Sequence, residues 1–177
     1  MTEGLLKISK EVKNSFIGVE IYDIKLSKIR GDYYIKIELD DLNNKNGSVS
    51  LATCEAFSKS FIVTLDQKIL ENNSLETQLP TDLTVDNYTL EVSSAGAERE
   101  IRFPEELERF KESPLKVVYL ENNKKRSKIL NYISKQNQSE FVFLEYYTKK
   151  EKKNQKEKKY ISINEKDIIR INLYLDF

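Results

Sequence analysis

Tyr33, Ile35, Ile37 and Leu39 alternate with Tyr34, Lys36 and Glu38, the period of two expected of a strand with one buried face. Ahead of them Val19, Ile21 and Asp23 alternate with Glu20, Tyr22 and Ile24. Together the two runs predict a hairpin closed around Arg30-Gly31-Asp32. Upstream, Leu5, Ile8 and Val12 recur at helical spacing between Lys7, Lys10, Glu11 and Lys13, which predicts a short amphipathic helix packed on the sheet. After "DLNNKNG", Ser50 is placed to cap a helix whose stripe is Leu51, Cys54, Phe57, Phe61 and Leu65. Residues 66–87 are mostly polar, and the chain returns to the sheet at Tyr88, Leu90 and Val92.

Beyond Phe103 the pattern changes. Pro104, Glu105 and Glu106 suit the first turn of a short helix, expected over about 104–112 and ending near Ser113-Pro114. Then "LKVVYL", "KRSKILNYIS", "EFVFLEYY", "KYISIN" and "IIRINLYL" are five short β-type runs separated by turn signals, which points to a small barrel. The expected fold is α+β: an N-terminal α/β sandwich-type domain over 1–103, then an all-β barrel domain over 104–177.

Composition narrows the chemistry. The 177-residue chain holds no histidine, so the usual general base and every Ser-His or Cys-His nucleophile pair are excluded. Cys54 is the one cysteine, which excludes an intramolecular disulfide and a cysteine-based metal cluster; core packing is its expected role. No metal, cofactor or catalytic residue is expected. No apolar run reaches the length of a membrane span, and "MTEGLLKISKEV" lacks the apolar core of a secretion signal, so a cytoplasmic location without membrane association is expected.

The formal charge is zero but unevenly spread. Up to Phe103 there are 12 Lys and Arg against 17 Asp and Glu; from Pro104 onward there are 17 against 12. Within "KKEKKNQKEKK" stand Lys149, Lys150, Lys152, Lys153, Lys156, Lys158 and Lys159. Two readings stand: a solubilising loop, or a phosphate contact surface flanked by Tyr146, Tyr147 and Tyr160. A second basic cluster, Lys124, Lys125, Arg126 and Lys128, falls at a predicted turn and strand start.

The stretch "YTLEVSSAGAEREI" runs from a strand into small residues. Small residues there suit either a ligand-binding loop or a tight turn, and no base or metal ligand accompanies the serines, which favours the turn. The stretch resembles the signature of the ribosome maturation factor RimP family, a strand running into Val-Ser-Ser-Pro-Gly and then Asp-Arg-Pro. Val92, Ser93, Ser94, Gly96 and Arg99 match it; Ala95, Ala97, Glu98 and Glu100 depart from it. "SVSLATCEAFSKSF" is similar to another family segment through Cys54, Glu55 and Ser58, and the order of elements fits over nearly the whole chain.

The resemblance implies an α/β domain joined to an Sm-like or SH3-like barrel, and a monomeric, non-enzymatic factor that binds the free small ribosomal subunit and assists its assembly. Its expected partners are rRNA and a basic ribosomal protein. From the charge pattern, and not from the resemblance, the seven lysines of 149–159, with Lys124, Lys125 and Arg126, are the expected RNA contacts; Ser93, Ser94, Gly96 and Arg99 are expected to fix the domain junction. A positive φ is expected at Gly96, so that Gly96→Val destabilises the fold. The rival readings are a generic Sm-like RNA adaptor, an enzyme acting on a phosphorylated substrate, and a protein-binding barrel.

Overall fold

The computed structural model describes residues 2–71, 78–96, 98–147 and 158–174. The chain divides into two compact units, Met1–Ala95 and Gly96–Phe177, and its class is α+β. No helix among the described residues is long and apolar enough to cross a membrane.

In the first unit α1 (Glu3–Lys13) precedes β1 (Val19–Ile29) and β2 (Asp32–Asp41), and α2 (Leu51–Leu70) carries the chain to β3 (Tyr88–Ser94). The sheet order is β1-β2-β3, with β1 antiparallel and β3 parallel to β2. The hairpin turns through Arg30 and Gly31 at φ 55° and 103°, the left-handed pair that a two-residue turn requires. Tyr33, Ile35, Ile37 and Leu39 are all buried, in one core with Leu5, Ile8 and Val12 of α1 and Cys54, Phe57, Phe61 and Leu65 of α2. Ser50 caps α2, its side chain accepting from the Thr53 N–H at 3.1 Å.

Two positions depart from the pattern. A bulge between Ile21 and Asp23 makes Tyr22 an extra residue in the register, so the strand changes face there. Ile24 and Leu26 therefore join Ile21 against the core in place of Asp23. Leu51 is 84% exposed: as the first residue of α2 it lies ahead of the turns whose Cys54 and Phe57 meet the sheet. Tyr33 ties down the polar segment after α2 by donating to Asp82 at 2.5 Å, and Tyr88 of β3 donates to Asp66 of α2 at 2.7 Å. Lys28 also binds the Asp82 carboxylate.

In the second unit β4 (Pro114–Glu121), β5 (Lys124–Lys135), β6 (Glu140–Glu145), β7 (Tyr160–Asn164) and β8 (Ile168–Leu173) form one antiparallel sheet of order β7-β6-β5-β4-β8. Consecutive strands β7 and β8 are thus its two edges, joined only by a 3-10 turn, Glu165–Asp167. In a flat sheet four inter-strand steps would separate them by about 19 Å. Three linking residues reach at most about 14 Å, and Asn164 and Ile168 also pair at opposite ends of their neighbours, with Glu140 and Tyr119. The sheet must therefore coil, helped by irregularities at Val118/Tyr119 and Tyr132/Ser134. Among the described residues the ladders do not close it into a barrel.

The coil buries its inner face on itself: Leu115, Val117, Tyr119, Leu130, Tyr132, Phe141, Phe143, Ile163, Ile171 and Leu173 make one cluster, completed by Ile101, Leu107 and Phe110. Residues 99–101 run beside β8, with the Ile101 N–H donating to Ile171 at 2.8 Å and the Leu173 N–H to Arg99 at 2.9 Å. The helix expected over 104–112 is instead a series of turns. Its hydrogen bonds mix three-residue closures (Leu107 to Pro104, Ser113 to Phe110) with four-residue ones (Glu106 to Arg102, Phe110 to Glu106). Leu107 and Phe110, three residues apart, are both buried in the second core, and the mixed closures make this segment partly 3-10-like instead of a regular α-helix.

Candidate nucleic-acid interface

The antiparallel order fixes which connections share an end of the second sheet. The β4–β5 turn, the exit of β6 and the entry of β7 all face one end, because β5 and β7 run away from it and β4 and β6 run toward it; by register β6 leaves the sheet opposite Leu130, and the β4–β5 hairpin projects six residues beyond that point to Lys124. Asn122 and Asn123, at φ 52° and 59°, make the two-residue turn, since asparagine tolerates the left-handed region. At this end stand Lys124, Lys125 and Arg126 from the hairpin and Lys158 and Lys159 from the entry to β7. Lys149, Lys150, Lys152, Lys153 and Lys156 lie outside the described residues.

Along β5 the inward face reads Tyr132, Leu130, then Lys128, Arg126 and Lys124, because alternate residues share a face. The apolar interior thus gives way to cations toward one end. Arg126 meets Glu121 at 3.3 Å, both half exposed. Lys128 meets Glu145 at 2.9 Å, with Tyr147 donating to the same carboxylate. The Tyr147 hydrogen bond first, and Lys128 second, hold the Glu145 carboxyl below the usual carboxylate range, while Glu145 raises the Lys128 ammonium against the opposing effect of burial. Tyr119 lies among these charges with its hydroxyl buried and unbonded, and burial pushes its pKa up.

The backbone joins the same pieces. The Glu145 N–H donates to Lys159 at 2.9 Å and the Tyr146 N–H to Ile129 at 3.0 Å, so both ends of the lysine-rich connection are held on the sheet. Lys124, Lys125, Lys158 and Lys159 are exposed. Arg126 and Lys128, by contrast, are engaged by carboxylates, a difference that sequence could not supply.

Ser93, Ser94, Gly96 and Arg99 each make contacts within the fold. Ser93 pairs with Glu38 in the β2–β3 ladder, and the Ser94 hydroxyl accepts from the Val49 N–H at 3.0 Å. The Gly96 carbonyl accepts from the Arg99 N–H at 2.8 Å. The left-handed turn expected at Gly96 is absent: its φ is not positive, and a Cβ built on it meets nothing within 4 Å.

Arg99, its side chain 1% exposed, pairs with Glu106 at 3.1 Å and lies over the Phe110 ring. The other Glu106 oxygen accepts from the Arg102 N–H at 2.8 Å. The sequence marked Arg99 through its motif, and the structure pairs it with Glu106, a carboxylate seven residues further on.

Residues 11–98 match the family model described as the RimP N-terminal domain. A ribosome maturation factor RimP of Leptospira interrogans is 32% identical over 160 residues, 89% of this chain and 88% of the relative. One from Leptospira biflexa is 36% identical over 161 residues, 88% and 86% of the two chains. The chain belongs to the ribosome maturation factor RimP family.

Proposed function

We propose that this ribosome maturation factor binds the free small ribosomal subunit and assists its assembly, with the lysine-bearing end of the second unit as its rRNA contact. One observation carries the reading: the β4–β5 hairpin and the β6–β7 connection emerge at the same end of one sheet, so two basic clusters separate in sequence act on one partner. Lysines so placed bind phosphate without reading bases, and the affinity they give falls with salt as counterions are released. The coiled five-strand sheet is read as an Sm-like barrel, and the 149–159 lysines as an extension of the same cationic end. Ser93, Ser94, Gly96 and Arg99 act as junction residues rather than contacts. The acidic first unit meets a basic ribosomal protein, and the factor works as a cytoplasmic monomer without catalysis, a reading supported by the absence of histidine from the chain.

The test is co-sedimentation with free small subunits, large subunits and assembled ribosomes at low and moderate salt. Serine replaces Lys124, Lys125, Lys158 and Lys159 in one variant and the lysines of 149–159 in another. Salt-sensitive association with the small subunit alone, weakened in both variants, is expected. Equal binding to every RNA particle would identify a generic RNA adaptor instead, and undiminished binding by both variants would move the contact elsewhere.

A further inference from the structure

Tyr160 is 57% exposed, the most exposed aromatic side chain among the described residues. Its position follows from alternation. Ile161 and Ile163 turn toward the core of the coiled sheet, so Tyr160 and Ser162 turn outward. The ring opens β7, which is an edge of the sheet, and it pairs across the ladder with Leu144, itself only half-buried. A flat ligand can therefore approach the ring from the unpaired side of the strand. Directly before it stand Lys158 and Lys159, both exposed and without an ion pair to any described residue.

An exposed ring beside two cations is matched by a partner with a planar apolar group and a phosphate one bond system away, which is a nucleotide whose base is unstacked. In duplex RNA the faces of the bases are enclosed in the stack, and what is presented outward is phosphates, hydroxyls and base edges, none of which offers a ring face to stack on. A ring and lysines together thus distinguish strand state where lysines alone do not. We propose that Tyr160 is a stacking platform for an unpaired base, so that the RNA engaged at this end of the second unit is single-stranded. This rests on the RNA-contact reading above and adds strand selectivity to it.

The chain contains no tryptophan, which supplies a direct probe. In Tyr160→Trp the indole is the sole tryptophan, and titration with an unstructured RNA oligonucleotide is expected to quench its emission, whereas a blunt duplex of equal length leaves it nearly unchanged. Tyr160→Ala is expected to weaken oligonucleotide binding about tenfold, the loss of one stacked base, and duplex binding by less than twofold; Tyr160→Phe retains wild-type affinity. Because the ring is exposed, all three variants should keep the wild-type melting temperature. Equal losses for both RNAs in Tyr160→Ala, or no quenching by bound oligonucleotide, would overturn the stacking role while leaving the RNA-contact reading intact. Failure of wild type to bind either RNA or the small subunit would overturn both.

Discussion

The two units begin from the same strand alternation and cover their apolar faces in different ways. In the first, helices α1 and α2 supply Leu5, Ile8, Phe57 and Phe61 to one side of a three-stranded sheet. In the second, a five-stranded sheet coils until Phe141 and Phe143 of β6 share a core with Ile171 and Leu173 of β8. Their charges differ in parallel. Lys13, Lys25, Lys28, Lys36 and Lys59 of the first unit each meet a carboxylate within it. Lys124, Lys125, Lys158 and Lys159 of the second meet none among the described residues. Exposed pairs add little stability, but they remove cations from the reach of a partner, and the second unit leaves these four lysines available while Arg126 and Lys128 are paired.

The sharpest way to break this contrast is to open each core separately and follow both units by hydrogen exchange under denaturant. Phe57→Ala should destabilise the first unit by about 3–5 kcal/mol, through lost burial and the cavity left behind. Arg99→Ala should destabilise the second by a similar amount, about 3–5 kcal/mol, because Glu106 loses its buried counter-charge. Each change should leave exchange in the other unit nearly unaltered; coupled unfolding would show that the units are not independent.

A smaller effect is expected at Gly18. Its φ is 79° and an added Cβ would lie 2.0 Å from Asn43 Nδ2, so Gly18→Ala should cost about 1–2 kcal/mol, read as a lower denaturation midpoint of the first unit. Smaller still is the Lys128–Glu145 pair, partly exposed and worth under about 1 kcal/mol. The carboxyl of Glu145 is held low, so its contribution is present above the ordinary carboxylate value and disappears as pH falls through the depressed one. Lys128 is held high, so its contribution is present below the ordinary lysine value and disappears as pH rises through the raised one. Glu145→Gln should therefore flatten the acid side of the second unit's stability profile, whereas an unchanged slope would place the acid sensitivity in other carboxylates. Least affected should be Gly96→Val, within about 0.5 kcal/mol of wild type, since there is open space at Gly96; a large loss would contradict its described backbone.

The alternation of Tyr33 to Leu39 was legible because each apolar residue meets one continuous core, and Arg30-Gly31 was legible because few residue pairs accept its geometry. The bulge at Tyr22 was hidden: a single extra residue changes the strand's face while leaving its composition strand-like. The segment 104–112 carries helix-starting residues, and the three-residue spacing of Leu107 and Phe110 suits an α-helix as well as a tighter turn, so its irregular winding was not legible in the sequence. At the interface, the abundance of lysine was visible, but which lysines pair with Glu121 and Glu145 depends on strand register. The shared end of the β4–β5 and β6–β7 connections depends on strand order, which the separate runs do not encode.

The parallel pairing of β2 with β3 joins Tyr33 to Tyr88 across the whole of α2. A pairing so distant closes a large loop before it gains any contact energy, which slows folding relative to a chain of hairpins. The β1–β2 hairpin can form as soon as it is synthesised, but its outer edge waits for β3. Until Ser94 has emerged from the ribosome, β2 presents an unpaired edge, and because α1 and α2 cover only the face of the sheet, the backbone of β2 stays open to pairing with other chains for that interval.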